Sequence, residues 1–356
     1  MATTTPIIIP AYEPDQRFIT LLKELKKENM TPIILVNDGS GPAYNDIFKT
    51  AEKLSDVILT HPKNCGKGRA LKTAFQYVQR HYPDCNGVVT ADSDGQHSVT
   101  CIQKIIDQMN KTKNTLVLGV RNFNKKNVPW KSRFGNKLTR ILLSYITGLK
   151  VQDTQTGLRG IPYSFLQSCI DLSGERFELE MQMLLTASKQ IPIVETPIKT
   201  IYDSKENHQT HFNPLKDSIK IYKLLCHQFL KYIFSAVSSF ALDICLFWIF
   251  LSYVFNNFTS NDIVMSTISA RIVSLTYNYI LNYAFVFKST SCVFKSALQY
   301  VGLATLQMSF SALFVTLLHK ALPDFSVVGV KIGVDTALFL ISYYIQRQFI
   351  FSTKKK

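Results

Sequence analysis

Short apolar runs and longer amphipathic stretches alternate through the first third of the chain. Residues 5–9, 33–36, 57–59, 87–91 and 116–119 read as strands. Between them, 15–29 places Phe18, Leu21, Leu22 and Leu25 at helical spacing, and 43–54, 68–81 and 99–111 read as further helices. Strands and helices in this alternation predict βαβ units and a mostly parallel sheet. The last third follows another rule. Four apolar runs (232–255, 263–287, 297–318 and 325–345) have 21 to 25 residues each, enough to cross roughly 30 Å of hydrocarbon at about 1.5 Å per residue. The pattern predicts two domains: a soluble α/β domain over 1–228 and an all-α membrane domain of four spans over 229–356.

Composition sharpens that division. Of the 356 residues 46% are hydrophobic and only 18% charged, against about 25% charged in an ordinary soluble protein. The shortage is local: residues 229–356 hold 10 Lys+Arg and 4 Asp+Glu, whereas 1–228 hold 30 and 21. Disorder, collagen-like repeats and a disulfide-stapled secreted module are excluded. The net charge of +15 suits an anionic membrane surface or phosphorylated substrates; nucleic acid binding would explain the charge but not the spans. The seven Cys are scattered without CxxC spacing, which points to a reducing compartment and away from zinc. The N-terminus shows no signal peptide. Basic residues are absent from 256–262 but present in 288–295 and at the C-terminus, which predicts a multi-pass protein of the cell membrane with its soluble domain and C-terminus cytoplasmic. Inside the spans lie Asp243, Arg271, Asn278, Asn282, Lys331 and Asp335. Lys331 and Asp335 can pair along one helix face, and Arg271 can meet Asp243 between helices. These groups read either as pairs that hold the bundle together or as a polar path for a lipid head group.

In a parallel sheet, ligands bind beyond the carboxyl ends of the strands. The five strand ends carry Pro10-Ala11-Tyr12-Glu13, Asn37-Asp38-Gly39-Ser40, the glycine-rich stretch 64–69 with Lys67 and Arg69, Asp92-Ser93-Asp94-Gly95-Gln96-His97, and Gly119-Val120-Arg121. Any one alone is an ordinary turn; together they predict one polar rim. Asp92 and Asp94, with Gln96, can hold Mg²⁺ or Mn²⁺ and leave positions for phosphate oxygens. Asp38 suits a base or ribose, and Lys67 a pyrophosphate. Pro10, Tyr12, Glu13 and Ser93 complete the candidate nucleotide-sugar pocket, with Lys205 (near Tyr202 and His211) in a polar loop that can close over it. Two stretches, near 130–147 and 214–230, set basic residues against apolar ones at helical spacing, as interfacial helices do; packing on the soluble core is the alternative. The first carries Arg133, Lys137 and Arg140 beside Leu138, Ile141, Leu142, Tyr145 and Ile146.

PAYE, VNDGS, NCGKGRA, ADSDGQH, GVR and DTQTGLRG, in this order, resemble the family 2 glycosyltransferases of the dolichyl-phosphate mannose synthase type, whose fold is called GT-A. The four-span remainder resembles the GtrA-like membrane domain. Two departures stand out: Pro14 occupies the place where many relatives carry an acidic residue, leaving Glu13 to do that work, and DSD replaces the commoner DAD. The resemblance implies metal-dependent transfer of a sugar from a nucleotide-sugar to a polyprenyl phosphate, with inversion. A phosphate acceptor is already ionised, so it needs cationic clamps and in-line placement; Arg121 and Arg133 are the candidates, beside Asp94. Asp153 can serve as a base, or can orient the sugar or Arg159. Glu178 and Glu180 lie where one of them can face the sugar. The partners expected are the nucleotide-sugar donor, the polyprenyl phosphate and the lipid membrane, with a homo-oligomer left open and no nucleic acid. Two other readings compete. A polysaccharide synthase would need a QxxRW-like motif, which is missing, and a lipid-linked sugar carrier would reduce the soluble domain to a regulator.

Overall fold

The computed structural model of the chain describes residues 4–121, 130–199, 216–255, 260–321 and 325–351. It divides into two compact units, Met1–Leu224 and Leu225–Lys356.

The first unit is a seven-stranded, mostly parallel sheet with flanking helices. In chain order the strands are β1 (Ile7–Ala11), β2 (Ile33–Asn37), β3 (Val57–Thr60), β4 (Gly87–Thr90), β5 (Leu116–Arg121), β6 (Arg159–Pro162) and β7 (Ile193–Ile198). Their spatial order is β3-β2-β1-β4-β6-β5-β7. Only β6 runs antiparallel to its neighbours, pairing Thr90 with Arg159 on one side and Leu118 with Arg159 on the other. The helices are α1 (Gln16–Lys27), α2 (Asn45–Glu52), α3 (Lys67–His81), α4 (Val99–Lys111), α5 (Trp130–Thr147), α6 (Tyr163–Ile170) and α7 (Glu178–Gln190). β1, β2 and β4 are buried on both faces, which is why they read as continuous apolar runs. α1 shows how local chemistry sets an element. Asp15 caps it by accepting from Arg17 N at 2.9 Å, Lys26 and Lys27 close its last turn, and Phe18, Leu21, Leu22 and Leu25 face the core.

β1 lies two residues later than its apolar pattern suggests and includes Pro10. The ladder explains the tolerance. β4 pairs only with Ile7 and Ile8, so by Pro10 the neighbour on that side has departed and the missing N–H breaks no bond.

The second unit begins within α8 (Lys216–Ile249), which a π turn continues over Phe250–Val254. α9 (Ser260–Ile280) runs into a second π turn, Leu281–Val286. α10 (Val293–Ala321) precedes α11 (Val327–Ile345), which ends in a third π turn, Gln346–Ile350. Among the described residues three stretches are long and apolar enough to cross a membrane: Ile219–Val254, Val293–Ala321 and Val327–Ile350. This differs from the four spans read from the sequence. The expected second span is helical as α9, but Asp262, Arg271, Asn278 and Asn282 make it too polar to join those three. α8 runs unbroken from Lys216 through the amphipathic stretch expected near 214–230 and into the first expected span. Arg271 meets Asp243 at 3.2 Å and Lys331 meets Asp335 at 2.9 Å, the two pairings the sequence suggested.

Candidate active site

The rim is assembled by three loops that bind one another through backbone groups. Gly39, at φ +72°, lies so close to the loop before α3 that a Cβ would fall 2.1 Å from the Lys63 carbonyl carbon; only glycine fits there. Asp38, 3% exposed, locks the same junction. One of its oxygens accepts from Cys65 N at 2.9 Å and lies 2.7 Å from His61 Nδ1, and the other accepts from Gly66 N at 2.8 Å. The loop after β1 joins them, because Glu13 N donates to Ser40 Oγ at 2.8 Å with Glu13 in the left-handed region at φ 48°. Burial and then the Glu13 carboxylate push the Tyr12 phenol up.

Past β4 stands the charged centre. Lys67 Nζ, at the start of α3, bridges Asp92 Oδ1 at 2.6 Å and Glu180 Oε1 at 2.8 Å. Burial alone would lower the Lys67 pKa, but these two carboxylates outweigh it and hold the ammonium above its usual value. Burial likewise works against ionised Asp92. Lys67 and then His97, whose Nε2 lies 3.6 Å away, outweigh it and keep the carboxyl well below the usual range. Asp94 goes the other way: burial and then the Asp92 charge push it up, while Gln96 N donates to its Oδ1 at 3.0 Å. Two close carboxylates, one of them short of counter-charge, form an all-oxygen donor set of the kind Mg²⁺ and Mn²⁺ prefer. The residues fit the metal. Ser93 sits half-buried between them. Asp38, His61 and Cys65 form a second group of potential ligands, with their ligand atoms within 4.8 Å of one another. Asp38 already serves there as the hydrogen-bond tie between loops.

The segment before β6 connects this centre to β5. Asp153 is fully buried and grips Arg121 with both oxygens, Nε to Oδ2 at 2.6 Å and Nη2 to Oδ1 at 3.0 Å. Four residues on, Gly157 lies against Asp92, where a Cβ would fall 2.2 Å from Oδ2. Thr90 Oγ1 donates to Gly157 O at 2.8 Å. Arg159, 1% exposed, donates through Nε to Thr156 O and through Nη1 to Glu180 O, so α7 and β6 hold the same loop. Of the roles open to Asp153, orienting an arginine is the one with a contact, and that arginine is Arg121 rather than Arg159.

Among the expected residues, Asp92, Asp94, Gln96, Lys67, Arg121 and Asp153 are therefore drawn together. Pro10 is buried in β1, and Tyr12, Glu13 and Asp38 belong to the adjoining loops. Arg133 stands on the exposed face of α5, and the link from Arg121 to it, 122–129, lies outside the described residues, as do Lys205, Tyr202 and His211. α5 buries Asn136, Thr139, Leu143 and Ile146, a line one step round from the apolar face expected. Asn136 is the reason: its Nδ2 donates to Gln152 O at 2.8 Å, fastening α5 to the Asp153 segment. Phe134 and Ile141 remain exposed, 61% and 56%, beside Arg133, Lys137 and Arg140. Sequence reasoning missed the Asp15–Arg17 pair, whose guanidinium feels the Asp94 charge, and Glu175, which anchors Arg69 and Lys72 at 2.6 and 3.2 Å. A basic pair at i, i+3 on α3 facing the glycine-rich approach to α7 was the available signal for the second.

Comparison with known proteins gives the family of the chain. Residues 7–169 match the model of glycosyl transferase family 2, and residues 231–351 match the GtrA/DPMS transmembrane domain. The chain is 31% identical over 201 residues to an uncharacterized protein of Methanocaldococcus jannaschii, covering 55% of this chain and 81% of that one. It is 31% identical over 215 residues to the UDP-N-acetylglucosamine–dolichyl-phosphate N-acetylglucosaminyltransferase of Methanococcus voltae, covering 55% and 85%. Among solved structures, glucosyl-3-phosphoglycerate synthase of Mycobacterium tuberculosis, determined with Mn²⁺, UDP-glucose and phosphoglyceric acid, is similar at 15% identity and TM-score 0.48 over 64% of this chain and 79% of that one.

Proposed function

The chain belongs to the family 2 glycosyl transferases, with a GtrA/DPMS transmembrane domain after its α/β unit, and we propose that it transfers a sugar from a nucleoside-diphosphate sugar to a polyprenyl phosphate at the cytoplasmic face of the membrane. One observation carries the reading. The segment 153–157 holds Arg121 at one end and packs against Asp92 at the other, so a guanidinium suited to an acceptor phosphate shares a rigid loop with the carboxylate centre. The family match and the dolichyl-phosphate acceptor in the M. voltae relative's name support the choice of acceptor class.

Each group has a task in this scheme. Arg121, planar and clamped by Asp153, binds two oxygens of the acceptor phosphate side by side. Holding that phosphate in line with the anomeric carbon replaces general-base activation, because the nucleophile already carries its charge. Attack forms the new C–O bond with inversion, and the bond to the nucleoside diphosphate breaks. Lys67 offsets part of the charge of Asp92 and Glu180 before substrate arrives and faces the pyrophosphate afterwards. Tyr12, Glu13 and Asp38 flank the nucleoside side. A divalent ion, Mg²⁺ or Mn²⁺, held by Asp92, Asp94 and Gln96 would neutralise the leaving diphosphate. Arg133, Phe134 and Ile141 on α5 meet the membrane interface and bring the acceptor within reach. The four-helix arrangement anchors the enzyme.

The test is a panel of radiolabelled nucleotide-sugars supplied to membranes containing the full chain and added polyprenyl phosphate, followed by lipid extraction. The reading expects label in the lipid phase from one donor, dependent on divalent ion and lost in Arg121→Ala. Label that never leaves the aqueous phase, from any donor, would refute the acceptor assignment.

A further inference from the structure

The inner helices α9 and α11 repeat one another. At a shift of 64 residues, Tyr279, Asn282, Phe285, Val286 and Phe287 fall on Tyr343, Gln346, Phe349, Ile350 and Phe351. The two π turns, Leu281–Val286 and Gln346–Ile350, open at almost the same register. The outer helices α8 and α10 repeat at a shift of 68, which sets Leu230 on Leu298, Tyr232 on Tyr300, Ala236 on Ala304 and Asp243 on Ser311. Sequence similarity of this strength between short apolar segments can arise from composition alone; the packing distances argue otherwise.

If two hairpins are related by an approximate two-fold axis, their main contacts recur with partners exchanged, or fall once between equivalent residues. Tyr232 lies 5.0 Å from Tyr343 at 59°, and its exchanged counterpart, Tyr300 against Tyr279, 5.6 Å at 58°. Phe287 lies 5.8 Å from Tyr343, and Phe351 lies 5.8 Å from Tyr279. Within each hairpin the matching pair recurs as well: Tyr232 and Phe287 are 6.1 Å apart, Tyr300 and Phe351 6.2 Å. The self-equivalent contacts are present too: Phe287 stacks on Phe351 at 5.2 Å, and Asn282 Nδ2 donates to Gln346 Oε1 at 3.1 Å. Asn282 is fully buried and Gln346 is 4% exposed.

We propose that the membrane unit is two copies of one helical hairpin, α8–α9 and α10–α11, related by a two-fold axis that passes through the Asn282–Gln346 pair and the Phe287–Phe351 stack. The open ends of both hairpins gather at this aromatic layer, so the copies are parallel repeats and the axis runs along the helices. Each hairpin then carries its charged group at an equivalent place: Arg271 and Asp335 coincide at the shift of 64. Asp243 and Ser311, the partners of these two, coincide at the shift of 68.

The experiment exchanges the equivalent amides in the full chain, with Trp130→Phe so that Trp248 alone reports thermal unfolding of the membrane unit. Asn282→Gln and Gln346→Asn should each lower the midpoint by about 2–4 °C, and the double exchange should recover at least half of the summed loss, because the axis makes the two environments interchangeable. Tyr232→Phe and Tyr300→Phe should lower it by amounts within about a factor of two of each other. A double exchange no better than the worse single variant overturns the proposal. Should Asn282→Gln not fold, the tyrosine pair decides: a silent Tyr300→Phe beside a damaging Tyr232→Phe, or the reverse, overturns it equally.

Discussion

Replacing Asp153 with Asn separates two roles that the same carboxylate can play. In the structure Asp153 is fully buried and makes two charge-assisted bonds to Arg121; it also accepts from Gln155 N at 3.1 Å. Asn keeps the shape and one acceptor but removes the charge. Breaking a wholly buried ion pair costs about 3–5 kcal/mol. The Arg121 side chain is 20% exposed and recovers some hydration, so a cost of about 2–3 kcal/mol is expected, close to the worth of one or two hydrogen bonds to a charged group. For a unit of this size that is a fall in melting temperature of roughly 4–12 °C. The functional effect should be larger. A guanidinium displaced by about 1 Å costs on the order of 100-fold in kcat/KM, and the loss should fall on the acceptor phosphate, with KM for the nucleotide-sugar little changed. Arg121→Lys should reproduce the acceptor defect, since an ammonium cannot make the paired contact. The assay is initial-rate kinetics on both substrates across pH. A base would leave another signature: kcat would collapse, the acceptor KM would hold, and the acid limb of the pH profile would vanish. That outcome in Asp153→Asn would refute the positioning role.

Three further outcomes follow from the charged centre. Asp94→Asn should abolish transfer and the stabilisation by Mg²⁺ or Mn²⁺, yet raise the melting temperature in EDTA at neutral pH. The sign follows from its elevated pKa: a carboxyl held above its unfolded value favours the fold while protonated and opposes it once pH rises through the folded value, so removing the charge relieves the metal-free protein. Lys67→Met should leave Asp92 and Glu180 without their shared cation; the lowered Asp92 pKa marks stability present above the unfolded carboxyl value and lost as pH falls through the folded one, so the variant's deficit in thermal melts should be full from about pH 4 upward and shrink as the pH is taken below it. Gly157→Ala should displace the Asp92 carboxylate, lowering turnover by at least roughly tenfold while leaving the acceptor KM near wild type, as measured by steady-state kinetics.

The parts of this fold that were legible in the sequence are those whose burial is uniform. β1, β2, β4 and β5 are apolar on both faces and bounded by polar clusters, and α1, α3 and α4 carry one-sided stripes. β6 escaped because its four residues begin with Arg159, a guanidinium that can be buried only because Thr156 O and Glu180 O receive it; neither acceptor is visible from local pattern. β7 carries Glu195 and Pro197 in a half-exposed edge position, a place that tolerates both. For the site, strand-end position alone found Asp92, Asp94, Lys67 and Arg121. What it could not find was their pairing. Lys67 meets Glu180 across 113 residues of chain, and Asp153 meets Arg121 across 32 residues that include α5. Local pattern names the charges that reach the rim, whereas the fold decides which of them neutralise one another.

The same distinction bears on α9. Its composition is too polar for a membrane span, but several of its polar groups turn inward: Ser274 Oγ donates to Asp243 at 2.7 Å, Asn278 Nδ2 to Ser235 O at 3.1 Å, and Tyr300 OH to Asn278 at 2.6 Å. In hydrocarbon such groups are tolerated when neighbouring helices satisfy them, and hydropathy summed around a helix cannot register that. The repeat supplies what composition withholds. If α9 is the counterpart of α11, and α11 with its π turn is apolar enough to cross, then α9 occupies the same depth in the other hairpin and crosses as well. Four crossings would return the end of α11 and its π turn to the side on which α8 begins. The duplicated hairpin and the count of four crossings are thus one topological claim, and the exchange of Asn282 with Gln346 tests the symmetry on which both rest.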